Sequence, residues 1–173
     1  MNKYKICESC GSTLEYKQDK HCYLESGLNK IYLNNVFVAK CKYCTEKYVS
    51  IGYITELHKK ISELLIKKYW SLTGNELRFL RKNINFSTTL LSTYIGITNN
   101  QILDYEKSKT EIPLILDRLI RCLSIIINKF EVENIRDKVL NDIENIDSEK
   151  ERDGELKINL TYNFLEKDMW TES

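Results

Sequence analysis

A chain of 173 residues and 20.5 kDa has room for one modest domain or two small ones, which excludes a large enzyme scaffold such as a barrel of roughly 250 residues. Hydrophobic residues at 42% and charged residues at 29% supply a core and exclude a wholly disordered chain, and no apolar run approaches the roughly 20 residues of a membrane helix. With 26 basic and 25 acidic side chains the net charge is +1, so any attraction to nucleic acid must come from a local surface.

The amino-terminal stretch MNKYKICESC carries no signal-peptide apolar run, and the expected compartment is the cytoplasm. Charge is spread unevenly: residues 1–71 hold 12 basic and 7 acidic groups, residues 72–113 hold 5 and 4, and residues 114–173 hold 9 and 14. The front of the chain is basic and the back acidic.

Six cysteines in a chain expected in the cytosol point to metal ligation before disulfides. Cys7 and Cys10 form one CxxC and Cys41 and Cys44 another, while Cys22 and Cys122 stand alone. Two residues between thiolates let a tight turn aim both sulfurs at one point, and two such turns supply the corners of a tetrahedron around zinc. Gly11 after Cys10 permits the left-handed backbone that closes such a turn, whereas Thr45 after Cys44 is less suited to it. A redox CxxC pair and unrelated cysteines are the alternatives. His21 and Cys22 lie in the same module and either could replace a ligand; a surface histidine beside a half-buried thiol is the simpler reading.

The stretch between the two motifs reads as strands. In KIYLNNVFVAK (Lys30 to Lys40) two β-rich pieces flank Asn34 and Asn35, and residues 27–29 suit an earlier turn. So small a sheet buries too little surface to fold unaided, and metal coordination worth about 10–16 kcal/mol would stand in for a core. From about Tyr53 to Tyr69 the period becomes helical through Ile54, Leu57, Ile61, Leu64 and Leu65, with Lys59, Lys60, Lys67 and Lys68 on other faces. His58 on this helix reads as a solvated side chain, because no cysteine or second histidine lies one turn away.

Residues 74–82 predict a further helix with Leu77, Phe79 and Leu80 inward. Ser87 can cap a short helix containing Leu90, Leu91 and Tyr94, Gly96 suits a sharp turn, and Thr98 can cap another helix with Ile102, Leu103 and Tyr105. This is the pattern of a helix-turn-helix, locked together by Leu91, Ile97 and Ile102.

The stretch from Ser87 to Pro113, with Gly96, Thr98, DYEKSK at 104–109 and the closing Pro113, resembles the Xre/Cro-type helix-turn-helix family. Taken with the upstream pair of CxxC motifs, residues 5 to about 130 resemble the MqsA (YgiT-type zinc finger) antitoxins. The resemblance implies that the zinc module engages a cognate toxin, that the helix-turn-helix domain forms a homodimer and represses its own operon, and that the protein is not an enzyme. It also implies that the helix beginning at Asn99 enters the major groove of double-stranded operator DNA. Asn99, Asn100 and Gln101 are then the base-reading candidates, since their amides can pair bidentately with adenine, and Asn100 falls where MqsA-type proteins carry a base-reading asparagine. Thr88, Thr98, Lys107 and Lys109 are candidates for phosphate contacts. Asp104 departs from the family, which carries a base-contacting arginine there. A carboxylate can accept from cytosine but is repelled by phosphates, so the operator sequence does not carry over.

After Pro113 the run LILDRLIRCLSIIINKF predicts a core helix, with Cys122 inside it and its remaining apolar surface suited to a dimer face. Residues 131–153 turn acidic, with a helix expected to about Ile143 and a polar, flexible stretch after it. In LKINLTYNF, Leu156, Ile158, Leu160, Tyr162 and Phe164 alternate with polar residues as one amphipathic strand. Its partner must be the zinc module, a second subunit, or a toxin or chaperone bound by strand addition.

The expected fold is α+β: a small zinc-bound β module (1–50), a linker helix (51–71), an all-α helix-turn-helix DNA-binding domain (72–130), and an acidic extension (131–173) ending in an amphipathic strand. A zinc-dependent regulator without a toxin and an adaptor that no longer binds DNA are the alternative functions. Enzyme chemistry is disfavoured, because neither histidine has a nucleophile or carboxylate partner at a readable spacing.

Overall fold

A computed structural model describes residues 6–129 and 156–159. The fold is α+β, with a sheet formed mainly by the amino-terminal part of the chain and, among the described residues, five α-helices. The described residues divide into two compact units, one of residues 6–24, 30–56 and 156–159, the other of residues 25–29 and 57–129.

In the first unit, β1 (Leu14–Cys22), β2 (Ile31–Cys41), β3 (Lys47–Ser50) and β4 (Leu156–Asn159) form a four-stranded sheet. β2 is its spine. β1 runs antiparallel along one edge, from Leu14 opposite Cys41 to Cys22 opposite Tyr32. The other edge is shared end to end: β3 lies antiparallel beside residues 37–40, and β4 lies parallel beside residues 31–34. A strand paired on both sides suits the β-branched and apolar run of β2, in which Ile31, Leu33, Val36 and Val38 are at most 2% exposed.

The buried positions 31, 33, 36 and 38 change parity at Asn34 and Asn35. Asn35 has a left-handed φ of 60°, and the β1–β2 register shifts between Asp19 and His21. The extra residue keeps one apolar face continuous, so the two expected pieces are one strand with an irregularity. β1 is mostly exposed, and its Asp19 gathers Lys17 and Lys40 in surface ion pairs.

α1 (Ile54–Ile66) is shorter than the helix expected over 53–69. Of the expected apolar residues Leu57, Ile61 and Leu65 are fully buried and Leu64 is half-buried, while Ile54 in the first turn is exposed. The helix closes with the Lys68 N–H donating to the Leu65 carbonyl at 3.3 Å, and the Leu65, Ile66 and Lys68 carbonyls accept from the Arg121 guanidinium. Lys68, expected off the apolar face of this helix, lies just past its end and is buried and paired with Glu76. His58, expected to be solvated, is half-buried with its ring edge-on to Phe79, and burial lowers its pKa.

α2 (Gly74–Asn83) starts from a capping box between Thr73 and Glu76. α3 (Thr88–Ile95) is capped by Ser87, and α4 (Asn99–Glu106) by Thr98. Gly96 ends α3 with φ of 77°, a conformation that a side chain would strain. α5 (Leu114–Ile127) follows Pro113. Leu77, Leu80, Leu91, Ile102, Leu116 and Ile120 are buried and form the helical core, and Cys122 at its margin is half-buried. Arg81 on α2 and Glu106 at the end of α4 make a two-pronged buried ion pair, with a third Arg81 hydrogen bond to the Phe86 carbonyl.

Four residues of the expected amphipathic strand form β4, where Ile158 is buried and Lys157 exposed. The helix expected over 131–143, the polar stretch after it and the remainder of the strand at 160–164 lie outside the described residues.

Candidate metal centre

Both cysteine pairs sit in tight turns at the same end of the sheet. Cys7 and Cys10 precede β1, and Cys41 ends β2 with Cys44 in the connection to β3. The turns are built alike. The Cys7 N–H donates to the Ser12 carbonyl at 2.8 Å, and the Cys41 N–H to the Glu46 carbonyl at 2.9 Å, each reaching five residues ahead. Gly11 and Thr45, equivalent in the two turns, have φ of 70° and 64°. Thr45 thus adopts the left-handed backbone to which its side chain is poorly suited, and its hydroxyl donates to the Cys44 carbonyl at 2.6 Å.

The four sulfurs lie within 4.8 Å of one another. Cys7 and Cys44 are 3.3 Å apart, Cys10 and Cys41 3.4 Å apart. Tetrahedral coordination with metal–sulfur bonds of about 2.3 Å needs sulfurs about 3.8 Å apart, a separation this cluster can reach with small side-chain adjustments. Cys7 and Cys41 are buried, Cys44 is half-buried and Cys10 exposed. His21, Cys22, His58 and Cys122 take no part in the cluster.

The surroundings favour a thiolate at one edge of the cluster. The Tyr48 hydroxyl on β3 lies 3.6 Å from the Cys7 sulfur and accepts from the Glu8 N–H at 3.1 Å. That contact, with help from Cys44 and the Cys10 and Ser9 N–H groups and against burial, lowers the Cys7 pKa to about 6. The Tyr48 phenol is correspondingly held protonated, first by its bond to Cys7. Ser12 lowers Cys10 through its side chain and its N–H. Cys44 responds the opposite way and is pushed up to about 12: the Glu46 N–H favours its thiolate, but the bond with Cys7, burial and the neighbouring Cys41 and Cys10 sulfurs outweigh it. Thiolates this close repel one another, and a bound cation is what would let all four ionise together. The Tyr43 N–H donates to the Cys41 sulfur at 3.4 Å, and Leu14, Ala39 and Tyr48 pack around the buried cysteines.

The residues singled out in the helical unit fall on two adjacent helices and the segment after them. Thr88 is half-buried in the first turn of α3. Asn99 and Asn100 are exposed at the start of α4. Gln101 is exposed too, but its side-chain carbonyl accepts from the Thr98 N–H at 2.8 Å and from the Thr98 hydroxyl at 3.0 Å. Asp104 pairs with Lys109 at 3.2 Å, and Lys107 is exposed at the carboxyl end of α4.

Sequence reasoning missed Tyr48 and the short strand that carries it. A tyrosine four residues past a CxxC, in the β-prone run KYVS, is the signal that was present. It also missed the buried pairs Asp117–Arg121 and Lys68–Glu76, whose partners are identified only by the fold. No helix among the described residues is long and apolar enough to cross a membrane. No protein-family model, curated protein or solved structure matches the chain.

Proposed function

We propose that this chain is an MqsA-type antitoxin, in which a zinc-bound amino-terminal module docks a toxin and a helix-turn-helix formed by α3 and α4 represses the operon. The observation that carries the reading is the coexistence of a four-sulfur cluster with a capped α3–Gly96–α4 pair whose exposed first turn presents Asn99 and Asn100.

Four thiolates favour zinc among hard and borderline cations, with iron the main competitor for an all-sulfur tetrahedron. Cys7, Cys10, Cys41 and Cys44 would fill every coordination position. Such an ion supplies a structural cross-link in place of a large apolar core. With the Gln101 carbonyl engaged by Thr98, base reading falls first to Asn99 and Asn100. Thr88, Thr98, Lys107 and Lys109 would flank them along the phosphates. On α5, Ile115 and Ile126 are 75% and 70% exposed and share an outward stripe with the half-buried Leu119 and Cys122. This stripe supports a homodimer whose two-fold axis would match an inverted-repeat operator.

One observation favours the alternative of an adaptor that no longer binds DNA: Asp104 neutralises Lys109 at the edge of the proposed reading helix. The readings separate in one set of measurements. The purified chain should contain close to one zinc per polypeptide, bind DNA upstream of its own reading frame with strong salt dependence, and rescue growth when co-expressed with a toxic neighbouring gene. Zinc without DNA retention at low salt selects the adaptor, and DNA binding without a toxic neighbour selects a regulator that has no toxin. A cysteine-bearing unit that folds fully without metal overturns the zinc-module part of the proposal.

A further inference from the structure

We infer that Tyr48 is a positioning residue of the metal centre, whose hydroxyl donates to the Cys7 sulfur while its oxygen holds the Glu8 backbone. The inference rests on the metal-binding reading of the cysteine cluster. The Glu8 N–H can only donate, so at 3.1 Å it occupies a lone pair of the Tyr48 oxygen. The Ser9 side chain also hydrogen-bonds the Tyr48 hydroxyl, and the single phenolic proton can be directed to the Cys7 sulfur at 3.6 Å. Cys7 is 1% exposed, so water does not compete for that sulfur.

The fold explains why residue 48 can do this. Tyr48 stands opposite Ala39 in the β2–β3 pairing, and Ala39 is two residues from Cys41 on the same face of β2. A small residue at 39 leaves space for the ring beside Leu14, Cys41 and Cys44. The ring therefore reaches from the strand that follows the second cysteine turn to the backbone of the first. It holds the two turns in register through contacts that need no ion. Its O–H also withdraws electron density from one ligand, as hydrogen bonds to metal-bound groups do.

The test compares wild type with Tyr48→Phe, which keeps the ring and removes the O–H. Zinc should pass to a competing chelator roughly 10- to 100-fold more readily from the variant. After loading with Co(II), the sulfur-to-cobalt charge-transfer band should move to lower energy in the variant, because a thiolate without its donor gives up an electron more easily. A merely structural tyrosine would not shift that band. Should the variant fail to fold, wild type loaded with ¹¹³Cd should show a slowly exchanging Tyr48 hydroxyl proton coupled to the metal. Equal chelator exchange and an identical cobalt band, or a rapidly exchanging and uncoupled hydroxyl, overturn the inference while leaving the metal site intact. Wild type that takes up no metal at all overturns the metal site itself.

Discussion

The Asp117 carboxylate and the Arg121 guanidinium, one turn apart on α5, form a 2.5 Å ion pair in which the two side chains are 1% and 0% exposed. The pair is a hub for the segment that leaves α1. Arg121 donates to the carbonyls of Leu65, Ile66, Lys68 and Trp70, and the second Asp117 oxygen accepts the Leu72 N–H at 2.6 Å. Removing one partner of a buried pair leaves the other charge uncompensated, at about 3–5 kcal/mol. Arg121→Met should lose at least that much in urea unfolding. Replacing both partners by apolar residues often restores stability when the charges serve only each other. Here the Ile66, Lys68 and Trp70 carbonyls would lose their Arg121 donors, so Asp117→Leu with Arg121→Met should recover little. Near-wild-type stability of the double variant would show that the backbone contacts contribute nothing.

This hub marks the limit of what the sequence made legible. Helical period placed Leu57, Ile61, Leu65, Leu77, Leu80, Leu91 and Ile102 inward, and all are fully buried. The caps Ser87 and Thr98 and the turn at Gly96 were likewise visible, because each depends on residues within one turn of itself. Arg121 contacts residues more than 50 positions away, and no local pattern distinguishes a buried arginine on an apolar helix from an exposed one. The cysteine spacing announced the cluster. It did not announce Tyr48, whose role depends on how β3 pairs with β2.

Gly74 opens α2 where the backbone of α4 comes closest. A Cβ there would overlap the Tyr105 and Glu106 carbonyl oxygens and the Ser108 hydroxyl. In an open helix, alanine would be favoured over glycine by about 1 kcal/mol. Here two of the three obstacles are backbone, so overpacking wins and Gly74→Ala should destabilise by about 1–3 kcal/mol. Thermal unfolding measures the sign. An increase in Tm means that α2 and α4 separate easily enough to absorb a methyl group.

Thr45 carries a strain that Gly11 avoids in the matching turn. A non-glycine residue in the left-handed region is disfavoured by roughly 1–2 kcal/mol, while glycine adds unfolded-chain entropy of up to about 1 kcal/mol. Thr45→Gly should therefore be neutral to mildly stabilising despite losing the hydroxyl bond to Cys44, and Thr45→Val should be destabilising. Denaturant midpoints of the metal-loaded proteins decide. A clear loss on Thr45→Gly would assign the hydroxyl bond more weight than the backbone.

Metal removal should act on one unit before the other. At the cysteine end of the sheet unit only a small apolar group of Leu14, Ala39 and Tyr48 packs around the sulfurs, so the two turns depend on what the sulfurs hold, whereas the helical unit has its own core of leucine and isoleucine. A strong chelator should expose residues 14–50 to protease while residues 74–127 stay protected. Simultaneous cleavage in both ranges, or none, contradicts a metal-dependent sheet unit.

Asp104 and Lys109 give the sharpest test of the proposed DNA surface. Their 3.2 Å pair holds a cation and its neutraliser beside α4, where a duplex would present phosphates. Asp104→Asn removes the repelling charge and leaves Lys109 to the backbone of the duplex. Affinity for operator and random DNA should rise together, and the slope of log K against log salt should steepen by about one phosphate equivalent. Asn100→Ala should behave differently, weakening operator binding by about 1–3 kcal/mol with little effect on random duplex, because an amide reads bases and carries no charge. Fluorescence anisotropy at several salt concentrations separates the two patterns. If Asp104→Asn leaves both affinity and slope unchanged, α4 does not approach the phosphates. If Asn100→Ala weakens both duplexes equally, Asn100 does not read a base.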